Sequence, residues 1–196
     1  MAIDFVADPF TLFAQWYDNA RRADGSTADA MNLATVDLQG RPWSRTVLLK
    51  AFDDQGFVFY TNLGSPKARQ IEANPFVALC FLWPASRRQV RIQGQAAPVS
   101  DSEADAYFAT RPRETQIGAW ASRQSEPLAD RGELQARVAR YETTFGSGDV
   151  PRPPFWSGYR VRPARMEFWQ EAAFRLHDRI SYEFENGQWT IQRLYP

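Results

Sequence analysis

Apolar residues recur at helical spacing through "DPFTLFAQWYDNARRA" (8–23), with Asp8 placed as N-cap and Pro9 as the first helical residue. The period then shortens. Residues 31–62 read as three strands, separated by turns at Gln39-Gly40 and at Asp53 through Gly56. Ser65 and Pro66 open a short helix within 64–75. "FVALCFLW" (76–83) reads as a buried strand, and "RRQVRIQGQAAPV" (87–99) alternates as another. Ser100 and Glu103 form a capping box at the start of "DSEADAYFATR". "PRETQIGAWAS" predicts a second short helix, and 127–146 carries the longest helical pattern. After the proline-rich "GDVPRPPFW" come "SGYRVRPARMEFWQ", "RISYEFE" and "QWTIQRLY", all strand-like, with Asn186-Gly187 as a hairpin turn.

Consecutive strands joined by tight turns pair antiparallel. The pattern therefore predicts a mainly β protein, one closed or nearly closed antiparallel barrel with peripheral helices. Neither a repeat nor an interdomain linker interrupts it, so residues 1–196 are expected to form a single domain. The alternating βα order of a parallel nucleotide-binding sheet is missing, as are "GxGxxG" and "GxxxxGK" loops.

Composition narrows the function classes. The 196 residues suffice for a real core, and 44% apolar with 23% charged residues is an ordinary globular balance. A formal net charge of zero argues against a general nucleic-acid binder, which needs a basic excess. The single cysteine, Cys80, excludes an intrachain disulfide, and the start "MAIDFVADPF" has no signal-peptide core. With no run of about 18 apolar residues, the expected location is cytoplasmic and no membrane partner is expected. Lys50 and Lys67 are the only lysines among 23 basic residues, a bias that reads either as codon usage with chance retention or as positions where a compact ammonium is required rather than a planar guanidinium.

One histidine and one cysteine far apart cannot build a conventional zinc site, and no "GxSxG" elbow exists. Three other segments carry candidate chemistry. "RTVLLK" (45–50) brackets an apolar strand with Arg45 and Lys50. "FYTNLGSPK" (59–67) brings Tyr60, Thr61 and Lys67 to a helix N-terminus, a plausible phosphate cradle that reads equally as an ordinary capped helix. "YFATRPRETQIGAW" (107–120) offers Tyr107, Arg111, Arg113 and Thr115, a second phosphate-like donor set. Two such sets suit two phosphorylated ligands, a cofactor and a substrate. In "FRLHDR" (174–179), strand alternation would put Arg175, His177 and Arg179 on one face, fit for an anionic or electron-rich ligand. Taken alone, that segment reads as a solvated strand edge.

Together these segments resemble the pyridoxamine/pyridoxine 5′-phosphate oxidase family, FMN enzymes of vitamin B6 metabolism. The resemblance runs from about Asp8 to Pro196 through "RTVLLK", "VFYTNLGSPKA", "RRQVRIQG", "YFATRPRETQIGAWAS" with "RQS", and "EFWQEAAFRLHDR". It implies an FMN-binding split barrel, a homodimer and two active sites at the interface. By position, Arg45, Thr46, Val47, Leu48, Leu49, Lys50, Tyr60, Thr61 and Lys67 would hold FMN from one subunit. Gln89, Gln124, Ser125, Trp169 and Arg179 would reach it from the other. Lys50, Tyr107, Arg111 and Thr115 would take the substrate phosphate, with Arg175, Leu176 and His177 at the pyridine ring and Arg175 and His177 as the catalytic pair. The implied reaction passes a hydride from the substrate's 4′-carbon to the flavin, which oxygen reoxidises. The products are pyridoxal 5′-phosphate and hydrogen peroxide, plus ammonia from the amine substrate.

The chain departs from the family pattern in places. Pro66 stands where arginine is frequent, Thr115 where serine is usual, Phe174 where a small or polar residue is common, and Glu171-Ala172 where a glycine-rich pair is common. The N-terminal arginine/tyrosine segment that can cover the substrate is expected to be missing. These changes fall mostly on the substrate side. They leave open a related oxidase of another ring, of the phenazine-pathway type, and a noncatalytic flavin-binding protein.

Overall fold

The computed structural model describes residues 3–196; Met1 and Ala2, the first of the expected domain, lie outside the described residues. The strands are β1 (Ala30–Val36), β2 (Pro42–Leu48), β3 (Ala51–Asp53), β4 (Gly56–Asn62), β5 (Phe76–Trp83), β6 (Arg88–Pro98), β7 (Trp156–Gln170), β8 (Asp178–Glu185) and β9 (Gln188–Leu194). All pairs are antiparallel. The order is β2-β1-β5-β6-β7-β4-β3, with β8 and then β9 branching from β7.

β7 makes this branch possible. β6 runs along one side of it from Arg88↔Gln170 to Pro98↔Tyr159. On the other side β4 pairs with Trp156 through Val161, and β8 pairs with Arg165 through Gln170. Pro163 falls in the gap between them, where its missing N–H leaves no ladder bond unmade. The register passes from Gly94↔Pro163 to Gln93↔Arg165, so Ala164 is the bulged residue. Gly94 is required at this step, because a Cβ there would collide with the carbonyl of Arg162. Bulge and proline bend β7, and the sheet curls into a split barrel.

The helix α1 (Pro9–Asp24) plugs the barrel. Asp8 caps it by accepting from the Phe10 and Thr11 amides at 3.2 and 2.9 Å, and Gly25, at φ 61°, ends it. Its inner face buries Leu12, Phe13, Trp16 and Ala20. Phe13 meets the rings of Phe52, Phe57 and Phe81 edge-on at 4.9, 4.8 and 5.2 Å, and truncating such a ring costs about 3–5 kcal/mol. The helices α2 (Pro66–Ala73), α3 (Asp101–Ala109), α4 (Arg113–Ala121) and α5 (Arg131–Phe145) lie outside. Phe108, Ile117, Val150 and Trp156 form a satellite core under α3 and α4. α5 buries no residue fully; the guanidinium of Arg137 ties it to the Ala121 carbonyl at 2.6 Å.

Several expectations need correction. Residues 31–62 hold parts of four strands rather than three, because the chain turns at Leu49 and Lys50, whose amides bond the carbonyls of Asp29 and Val58 at 2.8 and 2.9 Å. "FVALCFLW" is buried on one face only; Phe76 and Leu82 point outward at 62% and 60% exposure. Ser100 caps α3 through the Glu103 amide, but the Glu103 carboxylate accepts from Arg160 instead of closing the box. The helix expected over 127–146 starts at Arg131, after the Asp130 cap, and its 15 residues make it shorter than α1, which has 16.

Candidate active site

The ends of β2 and β4 and the starts of α2 and α4 enclose a cleft of about 850 Å³. Its wall carries Tyr60, stacked on Tyr107 at 4.0 Å and on Trp156 at 5.2 Å, with ring planes nearly parallel at 8° and 2°. Gly158, opposite Tyr60 in the ladder, makes room for this stack: a Cβ there would stand 2.7 Å from the Tyr60 ring. Burial, with Glu103 nearby, pushes the Tyr60 phenol up to about 12, so it is a neutral donor at physiological pH. The Tyr107 phenol is likewise raised by burial.

Four cations line the same cleft: Arg45, Lys50, Lys67 and Arg111. None of them is in an ion pair among the described residues. Lys67 is 8% exposed, and its ammonium donates to Thr61 Oγ1 (3.2 Å), Ser65 Oγ (3.2 Å) and Gln124 Oε1 (3.1 Å). Ser65 thus serves the lysine, and its side chain makes no cap bond to α2. Burial first, and the neighbouring Arg45 second, lower the Lys67 ammonium to about 8. Arg45 donates to the Leu33 carbonyl and to Thr35 and Gln70, and burial lowers it too. Arg111 lies over the Trp156 ring at 4.8 Å, is lowered by burial, and keeps one buried guanidinium nitrogen without a hydrogen-bond partner. A buried donor left this way costs about 1–3 kcal/mol until an acceptor arrives. Thr115 turns its hydroxyl to the Pro112 carbonyl at 2.7 Å and can still accept.

A second group sits on the β6–β7–β8 face. Gln89, Trp169 and Arg179 form one transverse row of the ladder. His177 packs its ring against Trp169 at 4.6 Å, and its Nδ1 accepts from the Ala172 amide at 3.3 Å. His177 and Leu176 line a separate cavity of about 650 Å³ with Asp178, Arg193 and Tyr195.

The structure therefore gathers Arg45, Thr46, Val47, Leu48, Lys50, Tyr60, Thr61, Lys67, Tyr107, Arg111 and Thr115 in one cleft, and places Gln89, Trp169, Arg175, Leu176, His177 and Arg179 elsewhere. Three placements differ from expectation. Leu49 turns its side chain into the core and is 3% exposed, so it does not line the cleft. Gln124, expected to reach across from the other subunit, bonds Thr61 and Lys67 of its own chain; Ser125 follows it with φ 70°. Arg175, His177 and Arg179 do not share a strand face, since residues 173–175 form a 3₁₀ turn with Phe174 and Arg175 at positive φ, and β8 begins only at Asp178. Arg179 instead binds Glu167 at 2.8 Å. Sequence reasoning missed Trp156, which lay in a segment read as a connection, and gave no role to Asn62, Thr110 and Ser122, although all three lie inside the quoted motifs.

Fold and cleft define a class: a split-barrel protein with a cationic, aromatic-walled cleft. Residues 20–145 match the model of the pyridoxamine 5′-phosphate oxidase family, and residues 156–196 match the pyridoxine 5′-phosphate oxidase C-terminal dimerisation region. A pyridoxine/pyridoxamine 5′-phosphate oxidase of Caulobacter vibrioides is 53% identical, across 96% of this chain and 85% of the relative. The protein of that name from Rubrobacter xylanophilus is 57% identical, over 96% and 87%. Among solved structures, PhzG from Burkholderia lata with tetrahydrophenazine-1-carboxylic acid superposes with a TM-score of 0.93 at 34% identity, covering 98% of this chain and 95% of that one. A pyridoxamine 5′-phosphate oxidase-related, FMN binding protein from Nostoc punctiforme shares the fold, with a TM-score of 0.78 at 19% identity over 98% and 100%. The chain belongs to the pyridoxamine 5′-phosphate oxidase family, whose members are flavin-dependent oxidoreductases. No helix among the described residues is long and apolar enough to cross a membrane.

Proposed function

We propose that the protein oxidises pyridoxine 5′-phosphate and pyridoxamine 5′-phosphate to pyridoxal 5′-phosphate, with FMN as cofactor and oxygen as final acceptor. The carrying observation is the set of four cations without carboxylate partners in one cleft, including a buried Arg111 nitrogen with no acceptor. Such a set fits phosphate monoesters, and four cations suffice for two of them. Arg45 and Lys67, with Thr61 and Gln124, are the pair for the cofactor phosphate. Lys50 and Arg111, with Tyr107 and Thr115, are the pair for the substrate phosphate. Trp156, stacked with Tyr60 and Tyr107, holds Arg111 by cation–π contact, as does Phe108. FMN, when bound, supplies the hydride acceptor and its reoxidation by oxygen to hydrogen peroxide.

Gln89, Trp169, Arg175, Leu176, His177 and Arg179 complete the site from the other chain of a homodimer. The match of residues 156–196 to a dimerisation region supports this division, as does the absence of all six side chains from the lining of the cationic cleft. Arg175 and His177 orient the substrate ring, and their contribution is positioning of the reacting carbon. His177 presents Nε2 outward because Nδ1 faces the Ala172 amide. Identity of 51–57% to B6-phosphate oxidases, against 34% to the phenazine-binding relative, favours the B6 substrate.

The test is anaerobic mixing of flavin-loaded protein with pyridoxine 5′-phosphate. Bleaching of the flavin absorbance, followed by pyridoxal 5′-phosphate release on admitting oxygen, is expected. A flavin that stays oxidised overturns the substrate assignment, and release of FAD rather than FMN on denaturation overturns the cofactor assignment.

A further inference from the structure

Behind the wall of the cleft, Arg45 is held by a closed set of acceptors. Its guanidinium donates to Thr35 Oγ1 at 2.6 Å, to Gln70 Oε1 at 3.1 Å and to the Leu33 carbonyl at 3.1 Å. Thr35 in turn donates its hydroxyl to the same Gln70 oxygen at 2.6 Å. Thr35 and Gln70 are 1% and 8% exposed, and neither lines the cleft. Gln70 comes from the buried face of α2, the helix that also carries Lys67, and Thr35 from β1, so two elements converge on one guanidinium.

Every one of these acceptors is uncharged. That is an unusual way to hold a partly buried arginine, which ordinarily takes a carboxylate. A glutamate at 70 would offer the same reach, the same acceptor and a stronger bond. It would also neutralise the guanidinium and compete with any anion in the cleft. A glutamine oxygen fixes direction and leaves the charge in place.

We propose that Gln70 is a positioning residue for cofactor binding: with Thr35 it aims Arg45 into the cleft through a neutral amide, so that the guanidinium keeps its full charge for the cofactor's phosphate. The inference rests on the assignment of FMN to this cleft.

The experiment titrates apoprotein with FMN and with riboflavin, which lacks the phosphate, and follows quenching of flavin fluorescence. Thermal melts of each apo variant report the fold. Gln70→Glu is expected to weaken FMN about tenfold or more while changing riboflavin less than about twofold. Gln70→Met, which keeps the volume but removes the acceptor, is expected to weaken FMN by about two- to fivefold. Unchanged FMN affinity in a folded Gln70→Glu overturns the inference, and so does an equal loss of FMN and riboflavin, which would mark a merely structural role. Should Gln70→Glu fail to fold, Gln70→Met decides: FMN affinity equal to wild type overturns the proposal. Failure of the wild-type protein to bind FMN is a separate result and overturns the cofactor assignment itself.

Discussion

The cleft and the β7–β9 face are both rich in arginine, yet they treat the charge in opposite ways. On the β7–β9 face, Arg179 shares the buried carboxylate of Glu167 with Arg91 of the neighbouring β6, Arg193 binds Asp178, and Arg165 lies 3.6 Å from Glu183. In the cleft, Arg45 and Lys67 are held only by hydroxyl, amide and carbonyl oxygens. Paired charges hold a surface together. Unpaired charges weaken the empty protein and strengthen its complex with an anion. The difference separates what arginine does for stability from what it does for binding.

The largest effect tests the paired side. Glu167→Ala strips Arg179 and Arg91 of an acceptor that is itself 3% exposed, and should cost about 3–4 kcal/mol in urea unfolding. Arg45→Ala should cost less than about 1 kcal/mol in the apoprotein, because no carboxylate is orphaned. Equal losses in the two variants would break the comparison. Next comes Arg111→Ala, which removes a charge-assisted donor. KM for phosphorylated substrate should rise about 30- to 100-fold, roughly 2–2.7 kcal/mol, with a smaller change in kcat. An unchanged KM would remove Arg111 from the phosphate site.

Gly158→Ala forces the Tyr60 ring away, since the new methyl meets ring carbon at 2.7 Å and the Phe59 carbonyl at 3.0 Å. Unfolding should register about 1–2 kcal/mol, and KM should rise because Tyr107 and Arg111 lean on the same stack. The last effect is a pH dependence. The Lys67 ammonium titrates near 8 in the folded apoprotein, against an ordinary 10.5. Above pH 8 the empty cleft loses this charge, and FMN affinity should fall by up to about tenfold per pH unit until the bound-state titration is reached. Across the same window, from about 8 to 10.5, the unfolded chain binds more protons than the folded one. The contribution of this group to apoprotein stability should therefore rise with pH. Lys67→Met should abolish both slopes in titrations at fixed ionic strength.

Much of the barrel was legible because its signals are local. Pro9 after Asp8, Pro66 after Ser65 and Asn186-Gly187 act within a few residues, and the structure puts elements where they ask for them. The cationic half of the cleft was legible too, through Lys50, Lys67, Arg45 and Arg111. The second layer was not. Nothing in "ATV" or "ARQIE" announces that Thr35 and Gln70 will meet at Arg45, because that meeting depends on the packing of α2 against β1. The loop before β8 failed for a different reason. Strand alternation assumes extended backbone, and Phe174 and Arg175 adopt φ of 57° and 62° without a glycine to signal it.

The position of β7 late in the chain sets the order in which this protein can be made. β4 finds its partner about a hundred residues downstream, with Phe57 against Val161, and β6 waits for the same strand. While the ribosome is still extending α3 to α5, β4 and β6 present unpaired edges, and the apolar faces that α1 will fill have only part of their wall. Synthesis through Gln170 closes all of these edges within a single strand, and β8 and β9 can only add afterwards. A nascent chain stalled before Trp156 should thus be protease-sensitive and prone to self-association, whereas one released after Gln170 should already protect β1 to β6.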